Sequence, residues 1–276
     1  MRQTLLLYTD LLVGYLVTAL VGAVAILFLL PTEEYQPFLV YMLMFMWVMA
    51  CDIFFTVRSR RRVQGLNKLR DDCRIAEFTK EYERFYNRPL LGKSDRNLIR
   101  INLATAYFEG GRFDEAMNML GTVDVDFSPR PYGKFVEACY LNDLILGFIQ
   151  LNEFSRAENA LRDMYRIIEE TDFQEAHRKV LERSYNSKRT MLRMKQGDYN
   201  GAGRFMRNYF DSASTNLTRV FSAYMMADIC HHDGFPEEEQ GWLRYAAENG
   251  GDSCYADRAK RILSRMTQPA PQETPA

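Results

Sequence analysis

Histidine and cysteine, which carry much of the metal and nucleophilic chemistry of proteins, are scarce in this chain of 276 residues. There are three histidines and five cysteines, and the cysteines are widely spaced with no CxxC pair. An odd, scattered set of cysteines argues against a disulfide framework and against a structural zinc site. It fits a reducing compartment, in which a free cysteine behaves as a small apolar residue.

Catalytic and nucleotide-binding motifs are also missing. The sequence has no phosphate loop, no GxSxG, no HExxH and no dinucleotide fingerprint. The run Cys230–Asp233, CHHD, suggests a metal site, but successive helical residues point about 100° apart, so its side chains do not converge on one ion. Acidic pairs such as Glu169 and Glu170 more often form a solvated face than a catalytic dyad. We therefore expect no enzymatic activity, no metal and no cofactor.

An excess of either charge is lacking as well. Lys and Arg number 35 against 36 for Asp and Glu, which gives a net charge of -1 at pH 7. A balanced chain has no bulk electrostatic attraction for nucleic acid, so we expect no nucleic-acid partner. The length is sufficient for one or two domains with a sizeable core.

Two long apolar runs are present at the N-terminus. Leu11–Leu30 has no charged residue, and at 1.5 Å rise per residue it spans about 30 Å, one hydrocarbon thickness. A cleaved signal peptide would have a shorter apolar region and a small-residue cleavage site. Here Pro31 and a second apolar run, Phe38–Val57, follow at once. We therefore predict that residues 1–57 form a two-helix transmembrane hairpin.

The charges that flank this hairpin predict its orientation. Four arginines follow the second run directly, whereas Glu33 and Glu34 lie in the loop at the opposite end. Because positively charged flanks stay in the cytoplasm, both termini and the rest of the chain are expected on the cytoplasmic side of a cell membrane. The arginines expected to set this topology, and to meet lipid headgroups, are Arg58, Arg60, Arg61 and Arg62.

Polar and small residues within the hairpin are of special interest. Asp52 would lie about 8 Å inside the cytoplasmic end of the second span, near Tyr15 of the first. An intramembrane carboxylate is a functional candidate by default. The alternative is a hydrogen bond to Tyr15, or to water reached from a shallow depth, and the sequence leaves both open. Gly14, Thr18 and Gly22 form one small face on the first span, which permits close helix approach.

Residues 58–92 are interpreted as a basic juxtamembrane helix or linker. From Arg58 to Asn87 apolar residues recur at three- and four-residue steps, the helical spacing. Pro89 should end the helix, because the residue before a proline avoids the helical region. We expect a helix that continues from the membrane into the first packing layer of the next domain.

A recurring pattern organises the rest of the chain. Its best example, Asn97–Leu120, has two amphipathic helical segments separated by Gly110 and Gly111. The shared motif is Gly or Asn, any residue, an aromatic, two residues and Ala, with an apolar residue four positions later. It occurs at residues 111–120, 152–161 and 197–206. Gly or Asn takes the left-handed conformation that ends the first helix, the aromatic fills the wedge between helices, and Ala lets the helices approach.

This pattern resembles the tetratricopeptide repeat family, which it matches best at Ala104, Tyr107, Gly111, Phe113, Ala116 and Leu120. The resemblance covers roughly residues 95–266 and implies an all-α solenoid of helix pairs. The motif alanines recur after 41 and 45 residues, however, and not after the family's period of about 34. Arg193 also replaces an expected aromatic. The longer period also admits a HEAT-like or another helical-pair array.

A fourth, degenerate helix pair is predicted after residue 220. Val220–Cys230 has helical spacing, and Pro236 suits the first turn of a second helix that runs to Asn249. Tyr255–Met266 reads as a final capping helix. The repeat domain therefore covers residues 93–266, and residues 267–276 form a disordered tail.

The resemblance also implies a binding surface. First helices of such repeats line a concave groove that holds an extended or helical peptide, and the mixed character of the residues here suits a protein segment. We expect a membrane-anchored scaffold or adaptor whose cytoplasmic repeats bind a protein or peptide partner. Carried over by position, the groove residues are Ile101, Thr105, Phe108, Asn142, Leu146, Gln150, Ser187, Met191, Lys195, Tyr224, Asp228 and His231.

A second hypothesis belongs to a different class. The hairpin would oligomerise through its Gly14 and Gly22 face and form a pore or transport component, with the repeats as a sensor. Asp52 and the small-residue face favour it. A homo-oligomer therefore remains open from the sequence.

Overall fold

The computed structural model describes residues 17–22, 24, 37–86 and 93–267. Every regular element in these residues is an α-helix, as the sequence predicts. The longer helices are α1 (Pro37–Asp71), α2 (Ile75–Tyr86), α3 (Lys93–Glu109), α4 (Phe113–Gly121), α5 (Pro131–Gln150), α6 (Phe154–Glu170), α7 (Glu175–Lys195), α8 (Ala202–Asp211), α9 (Asn216–Asp233), α10 (Pro236–Asn249) and α11 (Cys254–Met266).

The first of two compact units comprises residues 1–68 and 89–91. Its described part is the short helical segment 17–22 and most of α1. Trp47 Nε1 donates a hydrogen bond to the carbonyl oxygen of Thr18 at 3.2 Å. A Cβ built on Gly22 would lie 2.0 Å from Trp47 Nε1. Thr18 and Gly22 therefore lie against α1, and a larger side chain would not fit at Gly22.

The described residues contain no helix that is both long and apolar enough to cross a membrane. Most of the predicted span Leu11–Leu30 lies outside the described residues. Tyr15 and the tail after Thr267 lie outside them entirely. Helix α1 includes Asp52 and the predicted topology residues, but their side chains are outside the described part of the chain. Those topology residues are Arg58, Arg60, Arg61 and Arg62.

The predicted single helix from Arg58 to Asn87 is wrong at one turn. Helix α1 ends at Asp71, and residues 72–74 redirect the chain before α2 begins at Ile75. Cys73 takes a φ of 57° there, in the left-handed region that L side chains rarely adopt. The energetic cost of this backbone conformation is offset by the complete burial of Cys73. Burial of this kind depends on tertiary contacts and leaves no signal in the local sequence.

The second unit, residues 69–88 and 92–276, is built from helix pairs. Helices α3 and α4, α5 and α6, α7 and α8, and α9 and α10 each pack together across a short turn, and α11 packs on α10. The predicted turn residues Gly111, Asn152 and Gly197 all have a positive φ, as does Gly234 between α9 and α10. Their predicted role in ending the first helix of each pair is confirmed.

The motif positions of the second helices form the contact between paired helices. Ala116 and Ala157 are fully buried and Ala202 is 4% exposed, which confirms their role in close approach. The apolar residues four positions later are also buried, namely Leu120, Leu161 and Met206. The motif aromatics are only partly buried and so cover the edge of the helix interface, namely Phe113, Phe154 and Tyr199.

The fourth pair is better formed than the sequence suggested. Helix α10 has the predicted bounds, whereas α9 begins four residues before Val220. The hydroxyl of Thr215 accepts a hydrogen bond from Thr218 N at 3.2 Å, and this cap fixes the earlier start. In the same way Ser253 caps α11 by accepting from Ala256 N at 3.4 Å.

The array of helix pairs closes on itself. In a linear solenoid each repeat contacts only its neighbours, but here α11 contacts α3 across most of the unit's sequence. The turn before α2 also enters the C-terminal core, where Cys73 and Ile75 pack with Val220 of α9, Leu243 of α10 and Ala259 of α11. The last helix of the unit, α11, is therefore a neighbour of α3 and of the turn before α2.

Candidate binding site on the inner face of the helix array

A buried carboxylate, Asp143, lies at the centre of the inner face. Asp143 of α5 is 3% exposed, accepts a hydrogen bond from Thr105 Oγ1 of α3 at 2.5 Å, and accepts one from Asn142 Nδ2 at 3.1 Å. Burial raises the pKa of Asp143 to about 6, although the hydrogen bond from Thr105 and the charge of Lys188 act in the opposite direction. Burial likewise lowers the pKa of Lys188, against the attraction of Asp143.

A second ion pair lies beside this carboxylate. Arg70 Nε, in the last turn of α1, donates to both carboxylate oxygens of Glu109 of α3, at 3.0 and 3.1 Å. Burial alone would lower the pKa of Arg70, but the charge and hydrogen bonds of Glu109 outweigh it and raise the pKa above its ordinary value. With Asp143 and Lys188, the polar layer of the inner face contains two cations and two carboxylates, so its charges balance.

One helical turn further along the first helices, the inner face becomes apolar and encloses a cavity. Phe108, Leu146 and Met191 follow Thr105, Asp143 and Lys188 by three residues on their respective helices. The enclosed space is about 50 Å³, room for about three or four water molecules. Its wall comprises Phe108, Phe113, Leu146, Gln150, Met191, Lys195, Tyr224, Met225, Asp228, Cys254, Tyr255 and Arg258.

Charged side chains lie at the opening of the cavity to solvent. Arg258 of α11 donates to Gln150 Oε1 at 3.5 Å, and its guanidinium carbon lies 5.1 Å from the ring centre of Phe113. Lys195 at the end of α7 is exposed, and within the described part of the chain it has no ion-pair or hydrogen-bond partner. The mouth of the cavity therefore has the exposed ammonium group of Lys195 and the guanidinium of Arg258, with the carboxylate of Asp228 on the same wall.

The twelve groove residues predicted from the sequence have several different environments. Seven of them line the cavity, namely Phe108, Leu146, Gln150, Met191, Lys195, Tyr224 and Asp228. Ile101 and Ser187 are each 2% exposed, and Thr105 and Asn142 belong to the polar layer around Asp143. His231 is exposed at the end of α9, with its Nδ1 3.1 Å from Glu239 Oε2.

Several inner-face residues were missed by sequence reasoning. Asp143 had a detectable signal, since it is a lone charge in the apolar stretch YLNDLILGF of α5. Tyr255 and Arg258 reach the cavity only because α11 contacts α3, and Glu109 is paired only because Arg70 comes from another helix. These last contacts depend on closure of the array, which no local pattern encodes.

The CHHD run forms ordinary surface contacts. The ring of His232 stacks on Tyr199, with centroids 3.9 Å apart, and its Nδ1 lies 2.9 Å from Asp233 Oδ1. Its neighbour His231 faces Glu239 instead. In the described residues no group of three or more His, Cys, Asp and Glu side chains is placed to hold a metal ion.

Three comparisons of this chain with known proteins found no matching family model, no matching curated protein and no matching solved structure. The class of protein is therefore defined by the helices themselves. The second unit is an all-helical array compatible with a helical repeat.

Proposed function

We propose that this protein is a membrane-anchored adaptor whose helix array binds a protein partner at the mouth of the inner cavity. The observation that carries the proposal is the combination of a partly apolar cavity with the exposed ammonium of Lys195 at its mouth. Tyr224 and Asp228 of α9 complete this side of the cavity. A surface with an aromatic anchor and a charged rim has the anatomy of a protein interface.

The size of the cavity determines what enters it. A space of about 50 Å³ has room for the end of one side chain and not for an extended peptide. We therefore propose that a partner contributes one anchoring side chain to the cavity while the rest of its segment lies over Gln150, Lys195 and Asp228. The resemblance to tetratricopeptide repeats supports this placement, since the first helices of that family line the binding face.

Membrane anchoring is supported by the N-terminal sequence. Two apolar runs, Leu11–Leu30 and Phe38–Val57, are separated by a short loop, and a cluster of arginines follows the second. That order is typical of a hairpin with both ends in the cytoplasm. The adaptor would then present its helix array at the cytoplasmic face of a cell membrane.

Binding can be tested with the full-length chain in a mild detergent. A partner obtained by cross-linking in intact cells should lose affinity about thirtyfold when Tyr224→Ala or Lys195→Glu is introduced, the effect of one central interface residue. Lys179→Glu on the same helix is the matched control, because Lys179 is exposed and pairs only with Glu175. Equal loss of affinity in all three variants would contradict binding at the cavity.

Anchoring is tested by fractionation. The full chain should remain in the membrane pellet after a high-salt and carbonate wash, whereas a chain that lacks residues 1–57 should move to the supernatant. Release of the full chain by carbonate would overturn the membrane-spanning part of the proposal and leave the binding site untouched.

The alternative of an oligomeric pore receives no support from the described contacts. That hypothesis uses the small-residue face of the first apolar run between copies of the chain. Trp47 of the same chain occupies this face at Thr18 and Gly22. We therefore propose the adaptor alone, and native mass in detergent separates the two hypotheses.

A further inference from the structure

The two ends of the helix array are joined by reciprocal helix capping. The carboxylate of Asp252, in the loop before α11, accepts hydrogen bonds from the backbone N–H groups of Ile75 and Ala76, the latter at 3.0 Å, at the start of α2. The carboxylate of Asp71, at the end of α1, accepts from the N–H of Asn216 at the start of α9. Each carboxylate thus accepts from backbone N–H groups at the N-terminus of a helix, and that helix belongs to the opposite end of the array.

Close backbone contact accompanies these caps. Asp252 N donates to the carbonyl oxygen of Cys73 at 3.2 Å, and Asn216 Nδ2 donates to the carbonyl oxygen of Asn249 at 2.7 Å. Gly251 has a φ of 54°, and a Cβ built on it would lie only 2.4 Å from the carbonyl oxygen of Cys73. No residue other than glycine fits this position without separating the two ends. We call this junction, residues 71–76 against residues 216 and 249–254, the seam.

The seam is continuous with the wall of the inner cavity. Cys254, the first residue of α11, donates through its thiol to the carbonyl oxygen of Phe108 at 3.4 Å. Cys254 and Phe108 both line the cavity, together with Tyr255 and Arg258 of α11. Any movement that separates α11 from α3 therefore enlarges the cavity and uncovers the apolar layer of the inner face.

We propose that the seam is an autoinhibitory contact, and that its opening converts the closed array into an open solenoid with an accessible inner face. This inference rests on the proposed function, because it assigns regulation to the same binding site. In the closed form the inner face admits one side chain. In the open form the layer formed by Phe108, Leu146 and Met191 becomes available to a longer segment of the partner.

The seam is the junction at which the array can open with the smallest loss of structure. Its hydrogen bonds join residues 145 to 177 positions apart in sequence, so breaking them leaves every consecutive helix pair intact. The other junctions join helices that are consecutive or next but one in the chain, and within the pairs the motif residues Ala116, Ala157 and Ala202 are buried. Local opening of this kind is a normal part of the native ensemble and does not require global unfolding.

Two buried thiols report directly on the state of the seam. Cys73 is fully buried and Cys254 is 7% exposed, and burial raises the pKa of each thiol to about 11. When the seam opens, both thiols gain solvent and their pKa values return toward the ordinary range, and both changes accelerate alkylation. Cys230 of α9, which is 4% exposed, serves as an internal control for unfolding because it lies outside the seam.

The experiment compares alkylation of the full-length chain in detergent between wild type and Gly251→Ala, with each cysteine quantified by peptide mass spectrometry. The added methyl group meets the carbonyl of Cys73 and should raise the labelling rates of Cys73 and Cys254 by about tenfold or more, with Cys230 unchanged. The matched control is Gly197→Ala. Gly197 has a φ of 86° but open space around its Cβ position, so this variant has backbone strain without the seam contact.

A second variant keeps the test independent of glycine strain. Asp252→Ala removes the cap of α2 and should raise labelling of the same two thiols by about fivefold. Unchanged labelling rates at Cys73 and Cys254 would overturn the proposal. Equal increases at Cys73, Cys254 and Cys230 would also overturn it, because they indicate global unfolding. The measurement needs no partner, so a failure of the proposed binding function leaves its result unaffected.

Discussion

At the scale of single residues, Asp143 is the most consequential side chain of the inner face. It is an acid inside an apolar helix, and its environment offers a hydroxyl, an amide and a buried ammonium group rather than water. Its pKa of about 6 lies above the ordinary value of 3.8. Between these two pH values the folded chain retains a proton that the unfolded chain has released, so the free energy of unfolding falls as pH rises through this window.

The first prediction concerns Asp143→Asn. The amide does not titrate, so the free energy of unfolding of the variant relative to wild type should increase by about 2.4 kcal/mol between pH 4 and pH 7. Guanidinium unfolding of the full chain in detergent at both pH values measures this difference. Asp163→Asn, on the exposed face of α6, should change the free energy by less than about 0.5 kcal/mol at either pH. A pH-independent difference for Asp143→Asn would contradict the assignment.

At the scale of helices, the alanines of the second helices control how closely the pairs pack. Ala157 of α6 is fully buried at the contact with α5, whereas Ser155, two residues earlier, is exposed. Identical substitutions at these two positions therefore separate packing from helix propensity.

The second prediction is that Ala157→Leu destabilises the protein by about 1 to 3 kcal/mol, the usual effect of overpacking a filled interface. Ser155→Leu on the same helix turn should change stability by less than about 0.5 kcal/mol. Thermal unfolding followed by circular dichroism measures both. If the two variants have the same midpoint, the close approach assigned to the motif alanine is wrong.

Helix α2 also illustrates how an element can depend on a distant part of the chain. Its N-terminal donors have no local capping side chain and are satisfied by Asp252, which lies 177 residues away from Ile75. Helix α2 has one acidic residue of its own in the first turn, Glu77, whereas α4 has two, Asp114 and Glu115.

The third prediction is that Asp252→Ala lowers the free energy of unfolding by about 1 to 2 kcal/mol, the value of a helix cap. Asp252→Asn should restore most of this loss, because asparagine also caps helices well. Hydrogen exchange should show the loss first at the amides of Ile75 and Ala76. Faster exchange spread evenly over all helices would argue against a cap at this position.

At the scale of the whole molecule, the end of α1 belongs structurally to the helix array. Residues 69–71 fall in the same compact unit as the helix pairs, Arg70 pairs with Glu109, and Asp71 caps α9. The predicted boundary of the repeat domain at residue 93 therefore omits parts of the chain that complete its core.

The fourth prediction follows from this boundary. A fragment of residues 69–276 should unfold in one cooperative transition, whereas a fragment of residues 75–276 should lose about 3 kcal/mol or more. The shorter fragment leaves the buried carboxylate of Glu109 without its partner and removes Cys73 from the C-terminal core. Denaturant unfolding of the two purified fragments gives the comparison. Equal stability would show that the closure of the array contributes nothing.

Sequence reasoning succeeded where structure depends on local chemistry. The helix pairs, the left-handed turns at Gly111, Asn152 and Gly197, and the buried motif alanines follow from residues close together in the chain. It failed at Cys73, whose left-handed turn is stabilised by burial against helices from the other end of the unit. Seven of the twelve groove residues carried over from the repeat resemblance lie on the cavity wall. Helical periodicity marks one face of a helix but does not say what covers that face.

The sequence by itself determined the all-helical class and the pairing of consecutive helices. These features depend on interactions between near neighbours, which spacing and turn residues encode. Only the tertiary structure decided that the array closes, that α11 completes the cavity, and that the partly buried cations Arg70 and Lys188 balance the buried carboxylates Glu109 and Asp143. Those outcomes join residues far apart in the chain, and they follow from the accumulated rotation of successive helix pairs, which no local pattern specifies.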